Sequence, residues 1–285
     1  MAAVNTAAAI LRYSAFTADP AGGNPAGIVL DAAALDEAAM LAIAREVGYS
    51  ETAFVTVRDD ERRRFRLRYF SPLAEVAFCG HATVATAVAL AERLGPGLLT
   101  FDTPAGEIPL VTTTDAGLTR ATLTSVPTRS RPAEEAELAA ALRALRWAPD
   151  DLDPSLPPHV SYAGNEHPVL AARSRARLAA LDYDFDGLAE LMRRRGWTTM
   201  HLVWRESDDL YHARDPFPVG GVVEDPATGA AAAAFGGYLR TIGRAPEVPV
   251  LIRQGEDLGR PSELVVEIDP VDPRVRVTGH AVPIS

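Results

Sequence analysis

Two alanine-rich segments lie far apart in the chain, and the same order of residues precedes each of them. A proline-containing approach, an acidic residue and a small or polar turn come first, and an apolar run follows. These parts are residues 70–72, Glu75, 79–81 and 82–91 in the first copy, and residues 216–218, Glu224, 225–229 and 230–235 in the second. A helix that is apolar nearly all round is buried. The chain is therefore predicted to repeat one structural unit, each copy built around a buried helix.

The segments on either side of each apolar helix have the patterns of β-strands. Residues 64–70 alternate between polar and apolar side chains, and residues 264–268 form a short, largely apolar run. Each half therefore has the order strand, strand, helix, strand, strand. This order does not match the strand–helix–strand winding of parallel α/β proteins. The predicted fold class is α+β, with two sheets that each wrap around one central helix.

A stretch richer in charge and proline separates the two halves. It covers residues 130–154 and contains a predicted helix from about residue 133 to residue 147. The boundary is placed just before it. This gives an N-terminal domain over residues 1–128, which the C-terminal segment 275–285 is predicted to join, and a C-terminal domain over residues 129–274. With 285 residues and 47% hydrophobic content, the chain can bury two ordinary cores.

Lysine is absent, so all 28 basic residues are arginine. Without lysine the protein cannot form a Schiff base with pyridoxal phosphate or with a carbonyl substrate. It also lacks the lysine of a phosphate-binding loop. Transaminases, lysine-type aldolases and kinases are therefore excluded as functions. High alanine and arginine content without lysine suggests a GC-rich bacterial genome, and enzymes from such genomes often serve secondary metabolism.

The net charge of −10 argues against binding to nucleic acid and to an anionic membrane surface. No apolar run is long enough to span a bilayer, and residues 1–5 carry no charged region before an apolar stretch. We therefore expect a soluble, cytoplasmic protein. A single cysteine excludes internal disulfides and cysteine-rich zinc sites. The six histidines include no close pair at helical ligand spacing, so no metal site is predicted.

Glu51 is the first candidate for chemistry. It lies between Ser50 and Thr52, where the chain leaves a predicted helix and enters a strand. Neighbouring hydroxyls and backbone groups can hold a carboxylate there, and partial desolvation suits a group that both donates and accepts a proton. Taken alone, the three residues favour a plainer interpretation, which is an exposed glutamate at a strand start.

The two predicted helix starts supply the other candidates. Free backbone N–H groups at a helix start favour negative charge, so a small carboxylate-bearing molecule is the expected ligand. His81 would be neutral there, although a capping or core histidine is the alternative. Asp225 either binds substrate or only caps the second helix. Arg214 either holds a substrate carboxylate or pairs with an internal acid.

Cys79 adjoins the first helix start, where a thiolate is favoured. Racemases and epimerases that work with thiols need one cysteine on each side of the substrate carbon. The chain has one cysteine. A two-base epimerase is therefore disfavoured, unless Glu51 and Asp225 replace the two thiols.

Taken together, the motifs of this chain resemble the phenazine-biosynthesis isomerase (PhzF-like) family, which shares its fold with diaminopimelate epimerase. The resemblance covers nearly the whole chain. It rests on Phe16-Thr17, Gly-Asn-Pro-Ala-Gly at 23–27, Ser-Glu-Thr-Ala-Phe at 50–54, Phe-Ser-Pro at 70–72, Cys-Gly-His-Ala-Thr at 79–83, Glu-Asp-Pro-Ala-Thr-Gly at 224–229, and Gln254-Gly255 with Gly-Arg-Pro-Ser at 259–262.

This resemblance implies two pseudo-symmetric, barrel-like domains with the site between them, a homodimer, and a proton shift that needs no cofactor. It implies that Glu51 is the general acid/base and that His81 and Asp225 are the other catalytic residues. The expected substrate-binding residues are Asn24, Gly80, Thr228, Gly229 and Ala230. In the phenazine member of the family the substrate is a dihydro-hydroxyanthranilate. The family usually has serine where this chain has Ala230, so the contact of that hydroxyl with substrate is either missing here or supplied by Thr228.

The expected function is therefore a cofactor-independent isomerase that shifts a proton in a small carboxylate-bearing metabolite, such as a cyclic diene. Two alternatives stay open: a catalytically silent small-molecule-binding relative, and a cofactor-free amino-acid epimerase on the same fold. A metal hydrolase is a third interpretation; elemental analysis would reveal its bound zinc, and we expect none.

Overall fold

The computed structural model describes residues 9–284, so residues 1–5, on which the cytoplasmic expectation partly rests, lie outside the described residues. The chain forms two compact units. The first ends at Leu123 and is rejoined by the chain from Gly279 onward, and the second is Thr124–Thr278. From the sequence, the two boundaries were placed after residue 128 and after residue 274.

The first unit contains eight strands of its own and two helices. The strands are β1 Ile10–Ala15, β2 Asn24–Val29, β3 Thr52–Asp59, β4 Arg64–Phe70, β5 Glu75–Val76, β6 Gly97–Thr103, β7 Gly106–Asp115 and β8 Leu118–Thr124. The helices are α1 Glu37–Val47 and α2 Gly80–Leu94. The last strand of the chain, β17 Val275–Pro283, adds its C-terminal part to this unit.

The sheet of the first unit closes into a barrel. Going round it, the order is β17, β1, β2, β3, β4, β6, β7 and β8, and β8 pairs with β17. The pairings of β2 with β3 and of β4 with β6 are parallel. The pairings of β1 with β17, β1 with β2, β3 with β4, β6 with β7 and β7 with β8 are antiparallel. A closed sheet has no free edge strand.

Helix α2 is enclosed by this barrel. Every residue from His81 to Ala91 is buried, as its apolar composition predicts. Two hydroxyls anchor its first turn: Thr83 donates to the Cys79 carbonyl at 2.6 Å, and Tyr69 lies 2.7 Å from the Thr83 hydroxyl. Since the Thr83 proton is already used, Tyr69 is the donor in the second bond. The start of α2 is therefore held from inside the barrel.

The second unit repeats this arrangement. Its strands are β9 Arg129–Pro132, β10 His159–Tyr162, β11 Glu166–Ala171, β12 His201–Arg205, β13 Leu210–Pro216, β14 Glu224–Asp225, β15 Val250–Gln254, β16 Ser262–Ile268 and the first part of β17. Its helices are α3 Glu135–Leu145, α4 Arg175–Ala179, α5 Phe185–Arg195 and α6 Gly229–Thr241. Short 3-10 turns occur at Pro149–Asp151, Pro218–Gly220 and Glu256–Leu258.

The small residues of α6 let the strands of the second unit come close. Nine consecutive residues, Ala231 to Leu239, are buried. A Cβ added at Gly236 would lie 2.9 Å from a methyl group of Val275 and 3.0 Å from one of Val266. This position therefore has no room for a side chain. Helix α6 packs on β9, β10, β11 and β16 as α2 packs on its own strands.

The two units have equivalent strand orders. Strands β10, β11, β12, β13, β15 and β16 follow one another as β1, β2, β3, β4, β6 and β7 do, with parallel pairs at β11–β12 and β13–β15. Each unit also has an arginine–glutamate pair next to its two-residue strand, Arg68–Glu75 and Arg214–Glu224. The structure confirms the predicted fold class: two pseudo-symmetric units, each a barrel-like sheet around a central apolar helix.

Some local predictions were wrong. The glycines and the proline of the Gly-Asn-Pro-Ala-Gly segment at 23–27 predict a loop, but from Asn24 onward the segment belongs to β2, which pairs with β1 and β3. Proline is accommodated there because Pro25 pairs with Ser14 of β1, whereas the pairing of β2 with β3 begins at Gly27. Gly27 is needed for packing, since a Cβ there would lie 2.6 Å from the Thr52 hydroxyl. Strands β9 and β10 were missed because they are four residues each and carry no clear alternation.

None of the helices in the described part of the chain is both long enough and apolar enough to cross a membrane.

A fully buried polar network lies in the sheet of the second unit. His167 Nδ1 is 2.8 Å from the Thr199 hydroxyl, which donates to Asp215 at 3.2 Å, and His201 Nδ1 is 2.7 Å from the other Asp215 oxygen. Since Thr199 donates to the carboxylate, His167 must donate to Thr199. The Nε2 atom of His167 is buried without a hydrogen-bond partner among the described residues. Burial lowers the pKa of His167 from 6.5 to about 4.

We expect this histidine to make the fold sensitive to acid. Its stabilising contribution is complete above pH 6.5 and is lost as pH falls from 6.5 towards about 4, because only the unfolded chain takes up the proton in that range. The loss in unfolding free energy should reach about 3 kcal/mol. Urea unfolding of wild type and His167→Asn at a series of pH values tests this. The asparagine keeps a donor to Thr199, so its curve should fall less steeply; parallel curves would contradict the expectation.

Candidate active site

Glu51 lies immediately before β3, in the first unit. Its carbonyl accepts a hydrogen bond from the Gly27 amide at 3.2 Å, which ties it to β2. Its side chain is 16% exposed, so the carboxylate is largely covered but still reaches solvent. Among the described residues, Glu51 has His81 as its ion-pair partner, and it has no ion pair with an arginine. The predicted alternative, an ordinary exposed glutamate, does not describe this position.

Cys79 and His81 meet Glu51 at the start of α2. Cys79 is the residue that precedes the first turn, and His81 is the second residue of the helix. His81 Nε2 lies 3.4 Å from Glu51 Oε2. The Cys79 sulfur lies 3.6 Å from the same oxygen, and it is 3.4 Å from His81 Nδ1 and 3.7 Å from Nε2. We call these three side chains the Glu51–Cys79–His81 cluster.

The neighbours of His81 define its protonation. The Asn24 side-chain amide donates to Nδ1 at 3.1 Å, so Nδ1 is the acceptor and Nε2 carries the proton. That N–H faces Glu51 and the Ser50 hydroxyl, which is 3.3 Å away. Burial lowers the pKa of His81, and the nearby Glu51 carboxylate opposes this effect without overcoming it. His81 is therefore a neutral hydrogen-bond donor, as its position at a helix start predicts.

Asn24 contacts His81 directly. It was predicted to bind substrate, and that role stays a prediction. Asn24 is 1% exposed, so its amide is buried where it holds the His81 ring through Nδ1. The register places Asn24 opposite Ala15 at the end of the β1–β2 ladder.

We expect Asn24→Ala to change the tautomer of the His81 imidazole. Without the donor to Nδ1, the proton can move to that nitrogen, so the Nε2–H form should no longer dominate. Nitrogen-15 NMR of the imidazole groups distinguishes the two forms. His159, whose Nδ1 is 2.9 Å from the Ser130 hydroxyl in the second unit, serves as the internal control and should not change. An Nδ1–H form of His81 in the wild type would contradict this assignment.

The candidates of the second unit form a separate group around Asp225. Thr228 donates its hydroxyl proton to Asp225 Oδ2 at 2.6 Å. Gln254 then ties the turn together: its oxygen accepts from the Thr228 amide at 3.1 Å, and its nitrogen donates to the Asp225 carbonyl at 2.8 Å. Gln254 is fully buried. Gln254 has no role predicted from the sequence, although the Gln254-Gly255 motif marks its position.

Arg214 forms an ion pair with a buried glutamate, Glu224. Its Nε lies 3.0 Å from Glu224 Oε1 and its Nη2 lies 2.6 Å from Oε2, in a bidentate pair. A third donor, Nη1, reaches the Ala179 carbonyl at 2.7 Å. Burial raises the pKa of Glu224 and Arg214 opposes that change. Of the two interpretations of Arg214, the structure supports the internal pair.

The starts of α2 and α6 meet the requirements for binding an anion. Neither helix has a side-chain cap or an acidic residue in its first turn. Gly80, Gly229 and Ala230, which begin these helices, are partly exposed. Carboxylate binding at these starts stays a prediction.

Comparison with known proteins identifies relatives along almost the whole chain. The model of the family described as phenazine biosynthesis-like protein matches residues 13–285. An uncharacterized isomerase, YfhB, of Bacillus subtilis (strain 168) is 31% identical over an alignment of 289 positions, which covers 96% of this chain and 96% of that protein. The trans-2,3-dihydro-3-hydroxyanthranilate isomerase of Pseudomonas aeruginosa is 30% identical over 268 residues, 92% of this chain and 90% of that protein.

A solved structure agrees with these matches. The crystal structure of a PhzF-family phenazine biosynthesis protein from Bacillus anthracis aligns with a TM-score of 0.84 at 28% identity. The alignment covers 97% of this chain and 96% of that one.

Proposed function

Because the chain belongs to the phenazine biosynthesis-like protein family, we propose that it is an isomerase that moves a proton within a small carboxylate-bearing metabolite. The observation that carries the proposal is the contact of 3.4 Å between the partly covered Glu51 carboxylate and neutral His81. A carboxylate with a neutral donor beside it can take up a proton and return it. Curated relatives of matching length are named isomerases, which agrees with this chemistry.

In the proposed reaction Glu51 is the general acid/base. Its carboxylate takes a proton from an acidic carbon of the substrate and delivers that proton to another carbon of the conjugated system. No group other than the substrate gains or loses electrons, so the reaction needs no cofactor. The Nε2–H of His81 donates to the charge that develops as the proton leaves. Asn24 keeps that donor in place.

The proposed substrate is a cyclic diene acid. The Pseudomonas aeruginosa relative is named for an isomerase of a dihydro-hydroxyanthranilate, a molecule with a carboxylate and an amino group. The amide groups at the start of α2, next to Gly80, suit the carboxylate. Asp225 and Thr228 are proposed to bind the amino or hydroxyl group, together with Gly229 and Ala230. Since Ala230 lacks a hydroxyl, Thr228 is the proposed source of that contact.

Proton NMR in deuterated buffer tests this function. The dihydro-hydroxyanthranilate and other cyclic diene acids are incubated with the enzyme, and the proposal expects isomerisation with deuterium in the product. Deuterium exchange at the α-carbon of an amino acid would instead favour the epimerase alternative. Tight binding of a candidate without turnover would favour the silent-binder alternative.

We also propose a homodimer, as the family resemblance implies. Light scattering of the purified protein measures the mass directly, and a monomer of 30.4 kDa would contradict the proposal.

A further inference from the structure

We propose that Gln254 is a positioning residue that makes the turn before α6 select a hydrogen-bond donor, such as an amino group, on the substrate. The turn comprises residues 225–228, and Asp225 and Thr228 are partly exposed there. Gln254 ends β15 and is fully buried. The selection rests on the proposed function in one respect, since the turn must contact the substrate.

The side-chain amide of Gln254 has one possible orientation. Its oxygen lies 3.1 Å from the backbone nitrogen of Thr228, which can only donate, and its nitrogen lies 2.8 Å from the carbonyl of Asp225, which can only accept. Turning the amide over would place two donors together and two acceptors together. One proton of the amide is therefore bound to the Asp225 carbonyl.

The second amide proton determines the direction of the Thr228 hydroxyl. Gln254 Nε2 lies 3.1 Å from Thr228 Oγ1, so the hydroxyl oxygen accepts this proton. The proton of the hydroxyl itself is donated to Asp225 Oδ2, which is 2.6 Å away. A threonine hydroxyl has a single proton, so Thr228 has none to donate to a substrate.

The two exposed side chains of the turn therefore offer acceptors. Among the described residues, Thr228 Oγ1 donates one bond and accepts one, which leaves one lone pair, and an ionised carboxylate such as that of Asp225 can only accept. An amino group can donate to both. A carbonyl or carboxylate in that place would find no donor on either side chain, which weakens binding. The backbone N–H groups that begin α6 are donors, so the selection concerns the group that contacts Asp225 and Thr228.

Gly255 allows β15 to approach the turn. Its φ of 76° lies in the left-handed region that favours glycine. A Cβ at this position would lie 2.7 Å from the carbonyl of Pro226. A larger residue would therefore move Gln254 away from Thr228. In the Gln254-Gly255 motif the first residue holds the turn and the second gives it room.

The first test measures hydrogen exchange in the wild type. Since the chain contains one glutamine, labelling with glutamine that carries nitrogen-15 in its side chain gives NMR signals from Gln254 alone. We expect both amide protons to exchange with solvent at least about 100-fold more slowly than those of Asn165, an exposed residue of the same unit. Fast exchange of either Gln254 proton would overturn the proposal, because each must be hydrogen-bonded.

The second test compares three ring acids by titration calorimetry. Benzoate, 2-aminobenzoate and phthalate share the ring and one carboxylate, and the neighbouring group is hydrogen, a donor or an acceptor. We expect 2-aminobenzoate to bind at least about tenfold more tightly than benzoate, and phthalate to bind more weakly. Binding of 2-aminobenzoate should also shift the Gln254 signals. Equal affinities, or no binding of 2-aminobenzoate, would overturn the proposal.

Variants assign this preference to the turn. Thr228→Val and Gln254→Met should reduce it at least about threefold, whereas Thr228→Ser keeps the hydroxyl and should retain it. Thr241→Val is the matched control, because Thr241 lies at the other end of α6 and donates to the Gly237 carbonyl at 2.9 Å. A full preference in Thr228→Val or in folded Gln254→Met would overturn the proposal. If Gln254→Met does not fold, the exchange measurement and the threonine variants decide.

These assays need no turnover, so the two proposals can fail separately. If the variants behave as expected but the dihydro-hydroxyanthranilate is not isomerised, the proposed reaction is wrong and the role of Gln254 stands. Isomerisation by the wild type, with an unchanged preference in the variants, would overturn the role of Gln254 alone.

Discussion

Glu51→Gln is expected to fold as the wild type does and to lose isomerisation by about a thousandfold or more. Glutamine is nearly the same size and keeps a hydrogen-bonding group near His81, but it cannot accept a proton and return it. Initial rates with the accepted substrate measure the effect. Because the Glu51 side chain is partly exposed, the change should cost little stability.

Glu75→Gln is the matched control for this experiment. Glu75 is a glutamate of the same unit, but it pairs with Arg68 at 2.6 Å and lies outside the cluster. Its replacement should leave turnover within about twofold, as expected for a surface pair. If Glu51→Gln retained near-full turnover, Glu51 would have no place in the mechanism. Equal thermal unfolding of both variants would show that lost activity is not lost folding.

Arg214→Met is expected to destabilise the protein by about 3–5 kcal/mol, because it leaves the fully buried carboxylate of Glu224 without its partner. Methionine retains much of the apolar volume, so the cost comes from the charge. The free energy of unfolding in urea at neutral pH measures it. Activity should fall only as far as the folded fraction does, since Arg214 is committed to Glu224.

The equivalent pair of the first unit provides the comparison. Arg68 and Glu75 have side chains that are 27% and 30% exposed, against 11% and 0% for Arg214 and Glu224. Water screens the exposed pair, so Arg68→Met should cost about 1 kcal/mol. If Arg68→Met and Arg214→Met lost the same free energy of unfolding, burial would not explain the expected difference in stabilisation between the two pairs.

Much of the fold could be predicted because local signals and packing agree. The apolar composition of α2 and α6 marks helices that must be buried on all sides. Asp36 and Gly48 mark the ends of α1, where the structure shows an N-cap hydrogen bond at 2.8 Å and a left-handed residue with φ of 71°. Strand β10 was not predicted because its position depends on pairing with β9 and β11. No local sequence pattern indicates that pairing.

The chemistry of the candidate site was less accessible from sequence. The motifs marked Glu51 and His81 separately, but the contact with Asn24 depends on how β2 and α2 meet. Cys79 was weighed only as a racemase thiol, and histidine spacing gave no metal site. A cysteine and a histidine two residues apart can both face a distant glutamate only when the barrel brings that glutamate to the helix start. The two interpretations of Arg214, as a ligand of a substrate carboxylate or as the partner of an internal acid, could not be separated from the sequence, because the contact with Glu224 also depends on the folded chain.

The central claim is that Glu51 carries the proton of an isomerase. Proton NMR of the dihydro-hydroxyanthranilate in deuterated buffer, with wild type and Glu51→Gln in parallel, tests it most directly. The account predicts isomerisation with deuterium incorporation by the wild type and no detectable reaction with the variant. Conversion by both proteins at similar rates would contradict it.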